Sequence, residues 1–521
     1  MNVKTLYIND YSGGLNDTAH RTEIGRNEAS LLRNWDITYR GKLRRRDGLV
    51  QVGDTLSAAP AGLHTYLRKG GGKDLLTIEG TNLRYLNGTT FDNLDTGFTA
   101  GKDFAFATVP YNDKVYLCNE DNQVHSWDRA STTTDSCLTD LGAAVPHGNK
   151  LVWHKNYMFT ANNVNVSGTK YGNRLYWSAF GDPDTWDTTN DFIELPGGGR
   201  LINIEDWGDF LVIYKENSIM YLSGYGDADW RIDGTATNIV NIDEAIGSIS
   251  PKGATRVGNE IWFVDDEGQV RRQYKTFFDA FRRDIVSTKL QTTIDGINKT
   301  QLEKATMWTF NDKVYISVPN GSETSNSLVL VYDLIASKRT NKEAWTTYTG
   351  WSIDFATAYP TSATPDLLMA SKSTKKVYRH DGDDDDGAAI DARWDGKDDD
   401  FDNPDTYKRY RFGNITGEAG ASDVDVAIYA SVEGGSFANL GNLNLQSIGG
   451  TLGPTGSFLL GPTGTTGVLA GPSNGEYRFE YSTGGGSVSG RMLRHSIRHN
   501  TLNEQPIVNG FTCLYKEKRI R

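Results

Sequence analysis

The sequence predicts an all-β chain, a β-propeller of about seven blades followed by a C-terminal antiparallel β-sandwich-like domain, and three observations predict it. Asn-Asp-Lys-Val-Tyr occurs at Asn112–Tyr116 and returns letter for letter at Asn311–Tyr315. Around these copies one grammar repeats: a polar turn, a short apolar run, a second turn, and a strand ending in an aromatic or charged residue. Finally, no long stretch carries apolar residues at helical spacing, while glycine (56) is abundant and Trp and Tyr are frequent, a combination that suits short strands and tight turns.

Residues 1–58 precede the first clear repeat. Asn27 followed by Glu28, Ala29, Leu31 and Leu32 predicts a cap and one or two helical turns. Trp35–Thr38 and Leu43–Arg46 then flank Tyr39-Arg40-Gly41-Lys42 as a hairpin, with glycine at the turn.

From 59 to 386 a hairpin recurs. Its members pair Asp74–Ile78 with Leu83–Leu86, Lys114–Leu117 with Val124–Trp127, Tyr157–Phe159 with Leu175–Trp177, and Phe210–Ile213 with Ile219–Tyr221. The series continues with Ile261–Val264 and Val270–Arg272, Val314–Val318 and Leu328–Tyr332, and Leu367–Met369 and Val377–Tyr378. The spacing of about 40 to 55 residues is that of four-stranded blades, none of which buries its faces alone. The seven hairpins leave six or eight blades open, because residues 20–55 either supply a closing strand or reach toward a neighbour.

Two corners share this phase: Ser178–Trp186 is echoed by Ser223–Trp230. Gly and Asp suit the turn, and Trp suits a plug between blades. The rival reading, a sialidase-like Asp-box, needs Asp where aromatic residues stand and Gly where Asp stands.

An acidic bridge follows, running from Asp381 through Asp383, Asp384, Asp385 and Asp386 to Asp398, Asp399, Asp400 and Asp405. Counted as an EF-hand from Asp381, it places Asp386 where Gly is required and Ala392 where a bidentate Glu is required. A solvated linker is the plainer reading, and an irregular calcium site stays open beside it. Residues 387–521 follow a different pattern, in which Lys408–Phe412, Val424–Ala430, Tyr477–Tyr481, Met492–Arg498 and Gly510–Tyr515 alternate with period two. Leu452–Gly456, Leu460–Gly464 and Ala470–Pro472 form a Gly/Pro-rich projecting loop without the triplet period of collagen.

The formal charge of −12 opposes tight nucleic-acid binding, which needs cations to neutralise phosphate. Three cysteines without CxxC spacing indicate neither a disulfide framework nor a zinc site, and synthesis in a reducing cytoplasm fits them. The start of the sequence has no apolar signal core, and no run is long enough to span a membrane.

Catalytic motifs are missing from the sequence: there is no GxxxxGK[ST] loop and no Gly-x-Ser-x-Gly elbow. Gly70–Lys73 has strands on both sides and reads as a hairpin turn. His495 and His499 share a face but lack the glutamate of HExxH. Neither an enzyme nor a cofactor or metal is expected. The candidate lumen or interface residues are Arg44, Arg45 and Arg46, suited to phosphate or an acidic neighbour with a solvated or intramolecular role as the plainer reading, and the acidic residues Asp383 to Asp386 and Asp398 to Asp400.

Several segments resemble the nozzle, or tail accessory, proteins of short-tailed bacteriophages. They are Gly13–Asn16, Asn27-Glu28, Asn34–Asp36, Gly41–Gly48, Tyr176–Trp186, Gly387–Trp394 and Tyr407–Arg409. The resemblance implies a virion protein at the head–tail connection, present as a ring of six copies below the portal and adaptor. Tail fibres or spikes would attach at the side, and DNA would leave through the lumen without tight binding. Aspartates facing that duct would repel phosphate. Two rivals remain beside it: a receptor- or glycan-binding propeller, which predicts aromatic pockets at one rim, and a propeller glycosidase, which predicts paired carboxylates in a central cleft.

Overall fold

Each of the seven hairpins read from residues 59–386 is the second and third strand of a four-stranded antiparallel blade in the computed structural model, and the strands of the sixth continue into a nine-stranded sheet. The structure describes all residues except 1–2, 133–135, 198, 231–238, 244, 276–280, 362–363, 420–423, 446–474, 484–485 and 519–521. The Gly/Pro-rich segments at 452–472 lie outside the described residues.

There are seven blades. Their first strands are Pro60–Leu67, Ala105–Val109, Lys150–His154, Leu201–Trp207, Ala254–Val257, Thr306–Phe310 and Phe355–Tyr359, and successive ones contact one another around a closed ring. Blades 1 to 6 are continuous in sequence. Blade 7 takes its fourth strand from before the first blade: Leu49–Val52 pairs antiparallel with Lys376–His380, with Val52 opposite Val377 and Leu49 opposite His380.

The second strands of this ring are apolar on both faces because each blade is sandwiched between neighbours, and an apolar layer fills every gap, that between blades 5 and 6 being continuous with the sandwich core. Tyr66 and Trp127 fill the layer between blades 1 and 2, Trp177 and Trp230 that between 3 and 4, and Tyr348 and Trp351 that between 6 and 7. Trp230 of the second corner lies in the blade 3–4 layer, and Trp186 of the first packs against the blade 2–3 layer. Both corners are plugs. The turns of the repeated pentapeptide use the left-handed conformation that Asn and Asp tolerate: Asp113 has φ of 54°, Asn311 46° and Asp312 58°.

The sandwich has two sheets. In one, Lys408–Glu418 lies between Gly475–Glu480 and Ile507–Glu517, and the last of these also pairs with Lys4–Ile8 and with the hairpin Trp35–Ile37/Leu43–Arg45. In the other, Ala392–Asp395, Leu493–His499, Val424–Val432 and Ala438–Leu445 run in that order. Residues 1–58 therefore supply strands to both bodies instead of standing apart.

The helical turns expected at Asn27–Leu32 do not form. Glu28–Ala29 and Leu31–Arg33 are strands, and Leu31–Arg33 joins Trp345–Thr349 of blade 6 to Ala392–Asp395 of the sandwich. Pairing with distant strands outweighs a cap signal that is only local. One apolar cluster consequently runs without a break from Trp262 and Val264 of blade 5 through Ile316 and Trp345 of blade 6 to Ile415, Ile428 and Ile497 of the sandwich.

Candidate functional site

The arginine run and the acidic bridge, chosen separately from the sequence, meet in the fold. Strand Leu43–Arg45 leads into Arg46, whose guanidinium is fully buried beside the loop that follows blade 7. Arg46 donates to both oxygens of Asp385 (2.8 and 2.6 Å), to Asn34 Oδ1 (2.9 Å), to the Thr349 carbonyl (2.9 Å) and to the Asp47 carbonyl (3.0 Å). Its guanidinium carbon also lies 4.7 Å from the Trp351 ring centroid, a cation–π placement.

Asn34 completes the joint. Held in the left-handed region at φ 56°, it accepts from Arg46 and from the Thr349 amide, and donates to Thr349 Oγ1 and the Asp391 carbonyl. Next to it, Asp36 binds Lys313 (2.6 Å) and the Tyr348 hydroxyl. Burial alone would raise the Asp36 carboxyl, but the Lys313 ammonium and the Tyr348 hydroxyl hold it below the ordinary carboxylate range.

The remaining candidates divide by burial. Arg44 pairs with Asp47. Arg45 is fully buried, 3.6 Å from Asp383, and hydrogen-bonds to none of the described residues through its side chain. Asp398 is buried 3.6 Å from Arg494, and Asp399 is buried in a two-pronged contact with Arg26. Asp400 and Asp384 cap local turns at Asp402 and Gly387, and Asp386 pairs with Lys376. Arg45, Arg46, Asp385, Asp398 and Asp399 are thus internal, and their charges are not available to line a duct. Asp383, Asp384, Asp386 and Asp400 keep contact with solvent.

His495 and His499 do share a face, on strand Leu493–His499, but each already has a partner: His495 meets the Tyr481 hydroxyl (2.6 Å) and His499 meets Glu504 (3.2 Å). Among the described residues no group of three or more His, Cys, Asp or Glu is placed to hold a metal. Burial pushes His495 and His499 down to about 3, and His64 and His380 down to about 4. The unfolded chain takes up these protons near pH 6.5 and the folded chain does not. Their contribution to stability is therefore complete above pH 6.5 and drains away as pH falls toward about 4, by about 1.4 kcal/mol per pH unit for each histidine. His495→Gln is expected to flatten that slope between pH 6.5 and 4.5, as urea midpoints across the range would show.

The second place where charge converges is the propeller channel. A cavity of about 460 Å³ lies along the first strands, lined by Phe104, Phe106, Leu151, Trp153, Met307 and Phe355, and a further space of about 320 Å³ opens at one mouth. Across that mouth Asp103, from the loop before blade 2, binds Lys252 from the loop before blade 5 (2.8 Å) and Lys372 from blade 7 (2.5 Å). Lys252 also sits 4.1 Å over the Phe355 ring. Burial raises Asp103, but the two ammoniums hold it below its usual range, whereas burial raises Asp354 close by. These two carboxyls are split in the manner of an acid–base pair, yet both are engaged: Asp103 by lysines and Asp354 by the Lys372 amide (2.8 Å).

Sequence reasoning missed this cluster because its members stand singly in three distant loops. Phase was the available signal: Asp103 and Lys252 each lie two residues before a blade's first strand.

No family model matches the sequence, and no curated protein matches it. Solved structures do resemble the propeller. The WD40 β-propeller domain of Doa1 is 9% identical, with 63% of this chain and 95% of that chain covered and a TM-score of 0.39. The AfRom2 CNH domain is 9% identical, covering 64% and 97% with a TM-score of 0.37. A chain of a Mitotic Checkpoint Complex structure is 8% identical, covering 64% and 95% with a TM-score of 0.38. The count of seven blades follows from the strand pairing described above.

Proposed function

We propose that this chain is a structural protein of a short-tailed phage virion, the nozzle of the tail. It would form a ring of six copies below the portal and adaptor, guide DNA during ejection and anchor fibres or spikes. The observation that carries the reading is where the resembling segments fall. Four of the seven segments, Gly13–Asn16, Asn34–Asp36, Gly41–Gly48 and Gly387–Trp394, lie where the propeller joins the sandwich, while Tyr176–Trp186 lies in blade 3: Gly14 packs against the Trp345 backbone, Asn34 and Arg46 bridge blade 6 to the loop after blade 7, and Ala392–Asp395 continues the blade 6 sheet. A part that must keep its shape while DNA passes under pressure needs such a joint.

The channel within one propeller is too small for a duplex and is crossed by the Asp103–Lys252 pair. DNA would therefore run between copies, through the lumen of the ring. The net charge of −12 suits passage without retention, with Asp383, Asp384, Asp386 and Asp400 as the solvent-contacting candidates for that wall. The glycan-binding alternative has one observation in its favour, the exposed aromatic rings on one propeller rim.

Electron microscopy of the purified chain and of its virion tests the proposal. The expected result is a ring, and density for this fold around the tail axis. A chain absent from the virion, or a solitary propeller retained on a glycan array, would overturn it.

A further inference from the structure

Charge is divided unevenly along this chain. Residues 180–230 hold eleven Asp and Glu against Arg200 and Lys215 alone, which accounts for nine of the net twelve negative charges. From residue 406 onward the balance reverses, with eleven Lys and Arg against eight Asp and Glu.

The fold turns this division into two surfaces. On blades 3 and 4 the turn between first and second strands and the corner between third and fourth lie on the same side of the ring, which places exposed Asp182, Asp187, Asp209 and Asp229 on one rim. The same rim carries Phe180, 65% exposed, Tyr225, 83% exposed, and Tyr111 of blade 2, 46% exposed. These are the propeller's exposed large aromatic side chains among the described residues. They form one arc. Phe180 packs on Tyr157 (5.4 Å), Lys155 sits over Tyr225 (4.6 Å) in the turn before Tyr157, and Tyr111 packs on Trp153 (5.7 Å).

The other surface is the outer face of the sandwich sheet around Lys408–Glu418. Alternation sends Tyr410, Ile415, Phe511 and Cys513 into the core and leaves Arg409, Arg411, Phe412 and Lys516 outside. Arg409 stands opposite Lys516, Arg478 of the next strand lies 3.6 Å over the Phe412 ring, and Tyr7 on the edge strand is 68% exposed. Arg409, Arg411 and Lys516 make no ion pair among the described residues. The sandwich is joined to blade 6 through its other sheet, by way of Leu31–Arg33, two to three blades round the ring from the acidic arc.

We propose that the Arg409–Arg411 sheet face of one copy docks on the acidic aromatic rim of a second copy of this chain, head to tail. This rests on the ring reading above and gives that ring its contact. Guanidiniums match both parts of the rim, pairing with carboxylates and lying over Phe180 and Tyr225. Identical faces repel, so the contact is heterologous and propagates around a closed ring. The acidic body of the chain disfavours nucleic acid as the occupant of the arginine face, since phosphate would meet repulsion from the rest of the molecule.

Sedimentation and mass photometry of the full chain test the contact. The wild type is expected to self-associate at tens of micromolar or below, and raising the salt from about 0.05 to 0.5 M should weaken it tenfold or more. R409E/R411E and D209K are each expected to weaken association about tenfold with unchanged melting, because these side chains are exposed. An equimolar mixture of R409E/R411E with D209K should associate more tightly than either alone.

Variants that assemble as the wild type does would overturn the proposal. So would a monomeric wild type, whether its arginine face retains heparin or single-stranded DNA or its rim retains a glycan. A virion ring that tolerates R409E/R411E would remove this interface and leave the nozzle reading standing. Loss of self-association in the variants of a protein absent from the virion would do the reverse.

Discussion

Arg46→Ala should destabilise the folded chain by about 3–5 kcal/mol, the cost of removing one partner from a buried ion pair. Asp385, only 11% exposed, would lose both of its guanidinium bonds, and the Asn34 and Thr349 oxygens would each lose a donor. The guanidinium also fills the space against Trp351 and Tyr348, so truncation leaves a cavity in addition to a stranded charge. Lysine would restore the charge without the planar fork and is expected to recover part of the loss. Replacing Arg46 with Met and Asp385 with Leu together should cost less than Arg46→Ala alone, because the stranded carboxylate is then gone. Urea unfolding would read all four proteins. A shift below about 1 kcal/mol for Arg46→Ala would show that the joint between arm, blade 6 and blade 7 is held elsewhere.

Gly48→Ala should be comparably damaging for a different reason. A Cβ at this position would lie 1.8 Å from the Asp384 carbonyl oxygen and 2.6 Å from its carbon, and backbone cannot swing aside as a flexible side chain can. Gly48 donates to the Gly382 carbonyl, and Leu49 donates to the same Asp384 carbonyl. The methyl group would therefore push the closing strand away from the strand it completes. A cost of about 3 kcal/mol is expected, at the upper end for overpacking. It should appear as a roughly hundredfold faster hydrogen exchange at residues 49–52 and 377–380. Gly70→Ala, where a Cβ meets nothing within 4 Å, is the control and should leave exchange unchanged. Wild-type protection in Gly48→Ala would mean that blade 7 closes without this contact.

The ring was legible because its signal is local and repeated. The second strand of each blade is a short apolar run bracketed by turns, and the inter-blade layers leave it few other residue types to use, whereas third strands such as Val270–Lys275 and His125–Trp127 carry more polar residues. The first and fourth strands are more mixed: Ala105–Val109 alternates buried with half-buried residues, and the two-residue strand Thr139–Asp140 is exposed. The arm was read less well. Its hairpin forms as read, with Trp35 opposite Arg45, but the cap-like Asn27 misleads because the partners that make Leu31–Arg33 a strand lie more than 300 residues away.

At the candidate site, composition marked the arginines and the aspartates as two separate groups but could not show that Arg45 and Arg46 meet Asp383 and Asp385. The repeated pentapeptide carried more than turn chemistry. Both of its lysines bind an aspartate, Lys114 with Asp184 and Lys313 with Asp36, so the second copy ties the arm to blade 6.

The closing strand also has a place in time. Leu49–Val52 leaves the ribosome before any blade exists, and its partner Lys376–His380 follows about 330 residues later. At roughly 5–20 residues per second that is a wait of about 15–65 s. Lys4–Ile8 waits longer, for Ile507–Glu517 near the end of the sequence. Until then the nascent chain carries unpaired strands, Leu31–Arg33 among them, each a template for pairing with a stranger. Translation thus sets a checkpoint: the ring of blades and the sandwich sheet both lock only when late-made segments arrive, and a chain halted early would present sticky edges instead of a finished subunit.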